Sequence, residues 1–81
     1  MSQVSTSKLR IAVVGAGAIG KVHIEAVRCS PDCTLSAIVD PSPSAVTVAT
    51  DIGVPLHASI AALLSQDRPD GLILATPNPL P

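Results

Sequence analysis

Between Val14 and Lys21 the chain reads Gly15-Ala16-Gly17-Ala18-Ile19-Gly20, three glycines spaced as G-x-G-x-x-G. This spacing cradles a phosphate in one setting only, directly after a strand and at the start of a helix. There each glycine has its own task. Gly15 makes the tight turn, Gly17 lets the backbone approach a pyrophosphate with no side chain between, and Gly20 lets the helix pack against the strand. The amides of the first helical turn, at the positive end of the helix dipole, then attract the anion. About twenty residues past Gly20 stands Asp40, at an expected strand end, where a carboxylate can accept hydrogen bonds from ribose hydroxyls. These residues together point to a dinucleotide held by Gly15, Ala16, Gly17, Ala18, Ile19, Gly20 and Asp40. The same carboxylate repels a 2′-phosphate, at about 4 kcal/mol for each like-charge pair ~4 Å apart at an effective dielectric of about 20. No Lys or Arg lies between Arg28 and Arg68 to offset this, which favours NAD over NADP.

Other readings compete for the same residues. Gly15 to Lys21 also matches the start of a triphosphate-binding loop, but the next residue is Val22 where a magnesium-binding Ser or Thr is required. The glycines alone can make a plain strand-to-helix turn, and Asp40 before Pro41 can simply end a strand and begin a turn. Lys8 and Arg10 ahead of an apolar run resemble a signal peptide, yet three glycines interrupt that run and a helical pattern follows it at once. Cys29 and Cys33 are spaced C-x-x-x-C, neither a redox pair nor half of a zinc site, and read as reduced thiols near a helix end. His23 and His57 have no metal-binding neighbours in the sequence, and His23 reads as a packed or hydrogen-bonded helix residue.

The elements that must position the loop are legible from periodicity. Residues 1–8 are a polar tail. A β-branched run at residues 9–14 stops at Gly15 and reads as a buried strand. Residues 18–29 turn helical, with Ile19, Val22, Ala26 and Cys29 as the expected apolar face, and Pro31 closes the helix. A second strand is expected at residues 35–39. Ser42 is the expected cap of a second helix, with Pro43 at its first position, Ala45, Val46, Ala49 and Ile52 facing inward, and Gly53 at its end. A short strand at 54–57, a helix capped by Ser59, and a last strand at 72–75 complete the series. Strands alternating with helices imply an α/β fold with a parallel sheet and right-handed crossovers. The expectation is a partial Rossmann fold: four strands in the order 3-2-1-4, apolar on both faces, with three helices. Residues 9–81 would then form an incomplete dinucleotide-binding domain.

Composition narrows the function classes. The 81 residues are 47% hydrophobic and 14% charged, which excludes a disordered chain. There are no aromatic residues for base stacking and the net charge is −1, so nucleic acid and anionic membranes are not the expected partners. No run of apolar residues is long enough to span a membrane, and a cytoplasmic location is the default.

From Arg10 to Asn78 the chain resembles the N-terminal part of the Gfo/Idh/MocA oxidoreductase family. The resemblance rests on Ile11 through Gly20 with His23 three residues on, Val39-Asp40-Pro41, Gly53-Val54-Pro55, and Ala75-Thr76-Pro77-Asn78. It implies an NAD(P)-binding Rossmann domain in which Thr76, Pro77 and Asn78 lie beside the nicotinamide. It also implies hydride transfer between the nicotinamide and a sugar, polyol or related hydroxyl substrate. In the family a His follows three residues after that Asn, where this chain has Pro81, and a Glu-Lys-Pro segment with a proton-transfer Lys follows later. Lys8 and Lys21 are the only lysines here and neither can be that residue. The chain therefore reads as a truncated member, not catalytic on its own, with a non-catalytic nucleotide-binding module as the alternative. A sheet with one face half bare and an open edge strand would also invite self-association.

Overall fold

The computed structural model describes residues 8–75. It contains β1 (Leu9–Val14), α1 (Ala18–Cys29), β2 (Cys33–Val39), α2 (Ser44–Ile52), β3 (Leu56–His57), α3 (Ile60–Gln66) and β4 (Gly71–Leu74). All pairings are parallel and the strand order is β3-β2-β1-β4, as the alternation of elements predicts. β2 begins two residues earlier than expected, β4 one residue earlier, and β3 keeps only two of its four expected residues.

The hydrophobic β1 and β2 form the centre of the sheet, and alternate side chains serve its two faces. On one face Val13 and Ile38 pack under α1 and α2 with Ile24, Val27, Ala45 and Ala49. On the other, Ala12, Val14, Ala37 and Val39 meet α3 through the fully buried Leu63. The β1–β2 register shifts between Ile11 and Ala12, which face Leu35 and Ala37, so Ser36 is an extra residue in β2. Its hydroxyl is buried without a partner among the described residues.

Three expectations about which side chains face inward are corrected. The buried stripe of α1 is Gly20, Ile24 and Val27, whereas Ile19 (64% exposed), Val22 (67% exposed), Ala26 and Cys29 face outward. The close approach of Gly20 to Gly15 sets the rotation of the helix, and the stripe at i+4 and i+7 follows from it. In α2, Ala45, Val48, Ala49 and Ile52 turn inward while Val46 is exposed. β4 is not buried on both faces: Leu72 and Leu74, in register with Ala12 and Val14, are exposed.

The helix ends follow local chemistry. Ser59 caps α3, its hydroxyl accepting from the Ala62 amide at 3.1 Å. Gly53 closes α2 at φ 85°, a left-handed conformation that suits glycine. Pro43 has helical dihedrals at the start of α2, but the Ser42 hydroxyl does not cap that helix. It is drawn to Asp40 instead.

Candidate functional site

β1 and β2 both end at the edge of the sheet from which the glycine loop departs. The Gly15 amide donates to Val39 O at 2.7 Å, extending the β1–β2 ladder by one residue. Gly15 then turns at φ 106°, where other residues are strained. α1 returns so close that a Cβ on Gly20 would stand 2.0 Å from Gly15 O, a place where only glycine fits. Gly17 is different. It is the exposed residue that begins α1, and a Cβ there would meet nothing within 4 Å. Gly15, Ala16 and Gly20 are thus buried in the turn, and Gly17, Ala18 and Ile19 form its open rim.

Among the described residues no side chain caps the start of α1 or accepts from its first amides, and its first turn carries no acid. The first helical bond runs from the Lys21 amide to Gly17 O at 2.8 Å, so the amides of Gly17 to Gly20 lack intrahelical acceptors. A cavity of about 220 Å³ lies against this rim, lined by Gly17, Ala18, Ile19 and Ala75. Ala75 follows β4, its amide donating to Val14 O at 2.8 Å. The cavity therefore sits where β1 and β4 end, at the point where the chain's crossovers change direction. That is where open α/β sheets bind ligands. A larger groove, about 460 Å³, lies between α1 and α2. Lys21 lines that groove and is not among the residues lining the cavity at the loop. The uncapped amides, not the volume, mark the smaller cavity as the candidate site.

Asp40 joins the loop to the β2–α2 connection. Its amide donates to His57 O at 2.9 Å. Its Oδ2 accepts from the Ala16 amide at 2.8 Å, and its Oδ1 accepts from the Ser42 amide at 2.8 Å and the Ser42 hydroxyl at 2.7 Å. The Ser42 amide, then its hydroxyl and the Ala16 amide, hold the carboxyl below its ordinary value of 3.8 against the opposing effect of partial burial. Asp40 makes the Asp-to-Ser42 turn, and it stands half-exposed beside the loop. Ser42 and Ala75 were not singled out for this site from the sequence. The Asp-x-Ser spacing was the signal for Ser42, because an Asp side chain commonly bonds the amide two residues on. Thr76, Pro77 and Asn78 lie outside the described residues.

Comparison with known proteins agrees with this arrangement. A family model described as "Oxidoreductase family, NAD-binding Rossmann fold" (Gfo/Idh/MocA) matches residues 9–80. The rhizopine catabolism protein MocA of Rhizobium meliloti is 26% identical over 72 residues, which is 89% of this chain and 23% of that protein. The WlbA dehydrogenase of Bordetella pertussis, solved with NADH and UDP-GlcNAcA, is 36% identical with a TM-score of 0.78, over 88% of this chain and 22% of that one. A myo-inositol dehydrogenase of Corynebacterium glutamicum gives the same identity, TM-score and coverage. The scyllo-inositol dehydrogenase of Lactobacillus casei reaches a TM-score of 0.80 at 19% identity, over 91% of this chain and 23% of that one, a likeness of fold. The chain spans less than a quarter of the length of each of these relatives. With a family match across nearly all of its residues and the family's strand order in its sheet, the chain belongs to the Gfo/Idh/MocA oxidoreductases and carries their NAD-binding Rossmann fold.

Proposed function

We propose that this chain is the NAD-binding part of an oxidoreductase that moves hydride between the nicotinamide and a hydroxyl-bearing carbon of a sugar, polyol or related substrate. The observation that carries this reading is the uncapped, side-chain-free start of α1 at Gly17, set beside a cavity and next to an ionised carboxylate. The residues fit the cofactor's chemistry. The amides of Gly17, Ala18, Ile19 and Gly20 are donors without helical acceptors, suited to a diphosphate. Gly15 and Ala16 shape the turn behind them, and Asp40 offers acceptors to ribose hydroxyls. Thr76, Pro77 and Asn78 follow Ala75, which lines the same cavity, and we assign them to the nicotinamide end. NAD, when bound, supplies the site that takes or gives hydride. This chain binds and orients it.

Asp40 is held ionised with no Lys or Arg near it in sequence, so NAD is preferred to NADP. The chain alone is read as binding rather than catalysing. A second reading is a nucleotide-binding module without chemistry of its own, because neither Lys8 nor Lys21, its two lysines, matches the family's proton-transfer residue. The free Cys29 and Cys33 suit a reducing cytoplasm, and no helix among the described residues is long and apolar enough to cross a membrane. Among the described residues β4 has no partner strand on its outer side, and it presents Leu72 and Leu74, which supports self-association through that edge and face.

Calorimetric titration of the full chain with NAD, NADP and ATP tests the reading, for the wild type and for Asp40→Ala. NAD should bind best, and Asp40→Ala should weaken NAD while narrowing the gap to NADP. Preference for NADP or ATP, or indifference to losing Asp40, would overturn it.

A further inference from the structure

Hydrogen bonds already made at Asp40 leave too few acceptors for a ribose diol. A carboxylate has about four lone-pair positions. Oδ1 accepts two hydrogen bonds from Ser42, one from its amide and one from its hydroxyl, and Oδ2 accepts one from the Ala16 amide. One position remains, on Oδ2. The adenosine ribose of NAD carries two neighbouring hydroxyls, each a donor, so the second needs an acceptor from another residue.

Ser42 Oγ, beside that carboxylate, has a lone pair to offer. A hydroxyl has one proton and two lone pairs. The proton is committed to the Asp40 carboxylate at 2.7 Å, because a charged acceptor at that distance outcompetes the Ser44 hydroxyl at 3.4 Å. In the contact with Ser44, therefore, Ser44 donates. This uses at most one lone pair of Ser42 Oγ and leaves the other open. Ser42 is half-buried, as Asp40 is, so both remain reachable.

We propose that the ribose is read by two acceptors on two residues, Asp40 Oδ2 and Ser42 Oγ, and that Ser42 also fixes the carboxylate by holding Oδ1. The proposal rests on the ribose role given to Asp40 above. It makes the site a reader of two hydroxyl donors. A phosphate ester at either position removes a donor and adds an acceptor, which neither Asp40 Oδ2 nor Ser42 Oγ can satisfy.

The test is calorimetric binding by the full chain of NAD and of its 2′-deoxyadenosine and 3′-deoxyadenosine analogues, in the wild type, Ser42→Ala, Ser42→Thr and Asp40→Asn. Each deletion should weaken wild-type binding, by about three- to tenfold for one hydrogen bond. Ser42→Ala should bind NAD more weakly and become insensitive to one of the two deletions. Ser42→Thr, which keeps the hydroxyl, should restore both sensitivities. The inference falls if Ser42→Ala binds NAD like the wild type, or stays sensitive to both deletions. The wild type gives an answer without any variant: if only one deletion matters there, the two-acceptor arrangement is wrong. Loss of NAD binding in Asp40→Asn with an unchanged Ser42→Ala would sink this inference alone. A wild type that does not bind NAD, or an Asp40→Asn that binds it unchanged, would sink the ribose reading and this inference with it.

Discussion

The two ends of the sheet use acidic side chains in opposite ways. At the end where β1 and β2 begin, charges are neutralised by each other. The Arg10 guanidinium binds both oxygens of Asp67, with Nη1 to Oδ1 at 2.9 Å, and the Arg10 backbone exchanges hydrogen bonds with Asp70. At the end where the strands stop, Asp40 is held, among the described residues, by neutral donors alone, two amides and a hydroxyl, and none of those residues gives the start of α1 a capping side chain. The first end is closed upon itself. The second keeps a negative charge, a set of unpaired donors and a cavity. This difference separates the part of the molecule that ties the chain together from the part left ready for a ligand.

The glycines offer the strongest way to break the comparison. Gly20→Ala would drive a Cβ to 2.0 Å from the Gly15 carbonyl, a backbone atom that cannot swing aside. A cost of about 3 kcal/mol or more is expected, enough to unfold so small a core. At the opposite end, a Cβ on Gly71 would meet the Ile11 Cδ1 methyl at 3.2 Å, a side-chain end that can give way. Gly71→Ala should therefore change stability by less than about 1 kcal/mol. Urea denaturation of both variants checks the pair. Equal effects would mean that Gly20 does not hold the loop against the helix.

The carboxylates come next. Asp40→Ala strands the Ala16 and Ser42 amides and is expected to cost about 2 kcal/mol in addition to weakening NAD. Asp67→Ala breaks a solvent-exposed pair and should be measurably milder, with NAD binding unchanged. A larger loss from Asp67→Ala would place the weight of the fold at the wrong end.

How much of this was legible in sequence depended on how far apart the partners lie. The glycine pattern and Asp40 could be read because each belongs to a local unit, a strand-turn-helix or a strand end. Gly20 even contained the correct rotation of α1. Choosing Ile19, Val22, Ala26 and Cys29 as the inner face ignored that a glycine needed for close packing must itself face inward, which selects Ile24 and Val27. The Ser42 hydroxyl had two local partners, the helix it precedes and the Asp40 carboxylate two residues back, and the charged one prevailed. The union of Arg10 with Asp67 and Asp70 had no local signal. It exists only because β4 lies beside β1, across nearly sixty residues of chain.

Two of the three helices that start at the strands' stopping end sharpen the contrast further. α3 is capped by Ser59, and α1 by no side chain among the described residues. Ser59→Ala should cost about 1 kcal/mol and leave NAD binding alone. Gly17→Ser would give α1 a cap, since Gly17 has the extended dihedrals that a capping residue uses. It should raise stability by a few tenths of a kcal/mol while weakening NAD, because the new hydroxyl occupies an amide meant for the diphosphate. Thermal denaturation beside calorimetry would show whether the two properties move in opposite directions. Tighter NAD binding in Gly17→Ser would contradict the role given to those amides.

The smallest effect separates the two carboxylates by the nature of their partners. Both titrate below 3.8, Asp67 chiefly through the Arg10 hydrogen bond and then the Arg68 amide, Asp40 chiefly through the Ser42 amide. A depressed folded value means that each contributes stability fully present above pH 3.8 and lost as pH falls through that lower value. Acid should therefore weaken both ends. Salt should not. At about 1 M salt the screening length is ~3 Å, so the charge–charge part of the Asp67 pair is screened, while the uncharged donors around Asp40 are hardly affected. Carboxyl titrations followed by ¹³C NMR at low and high salt should show Asp67 moving up toward its ordinary value and Asp40 staying in place. If Asp40 moved as far as Asp67, a cation rather than backbone amides would be holding it, and the ligand end of the sheet would not differ in kind from the closed one.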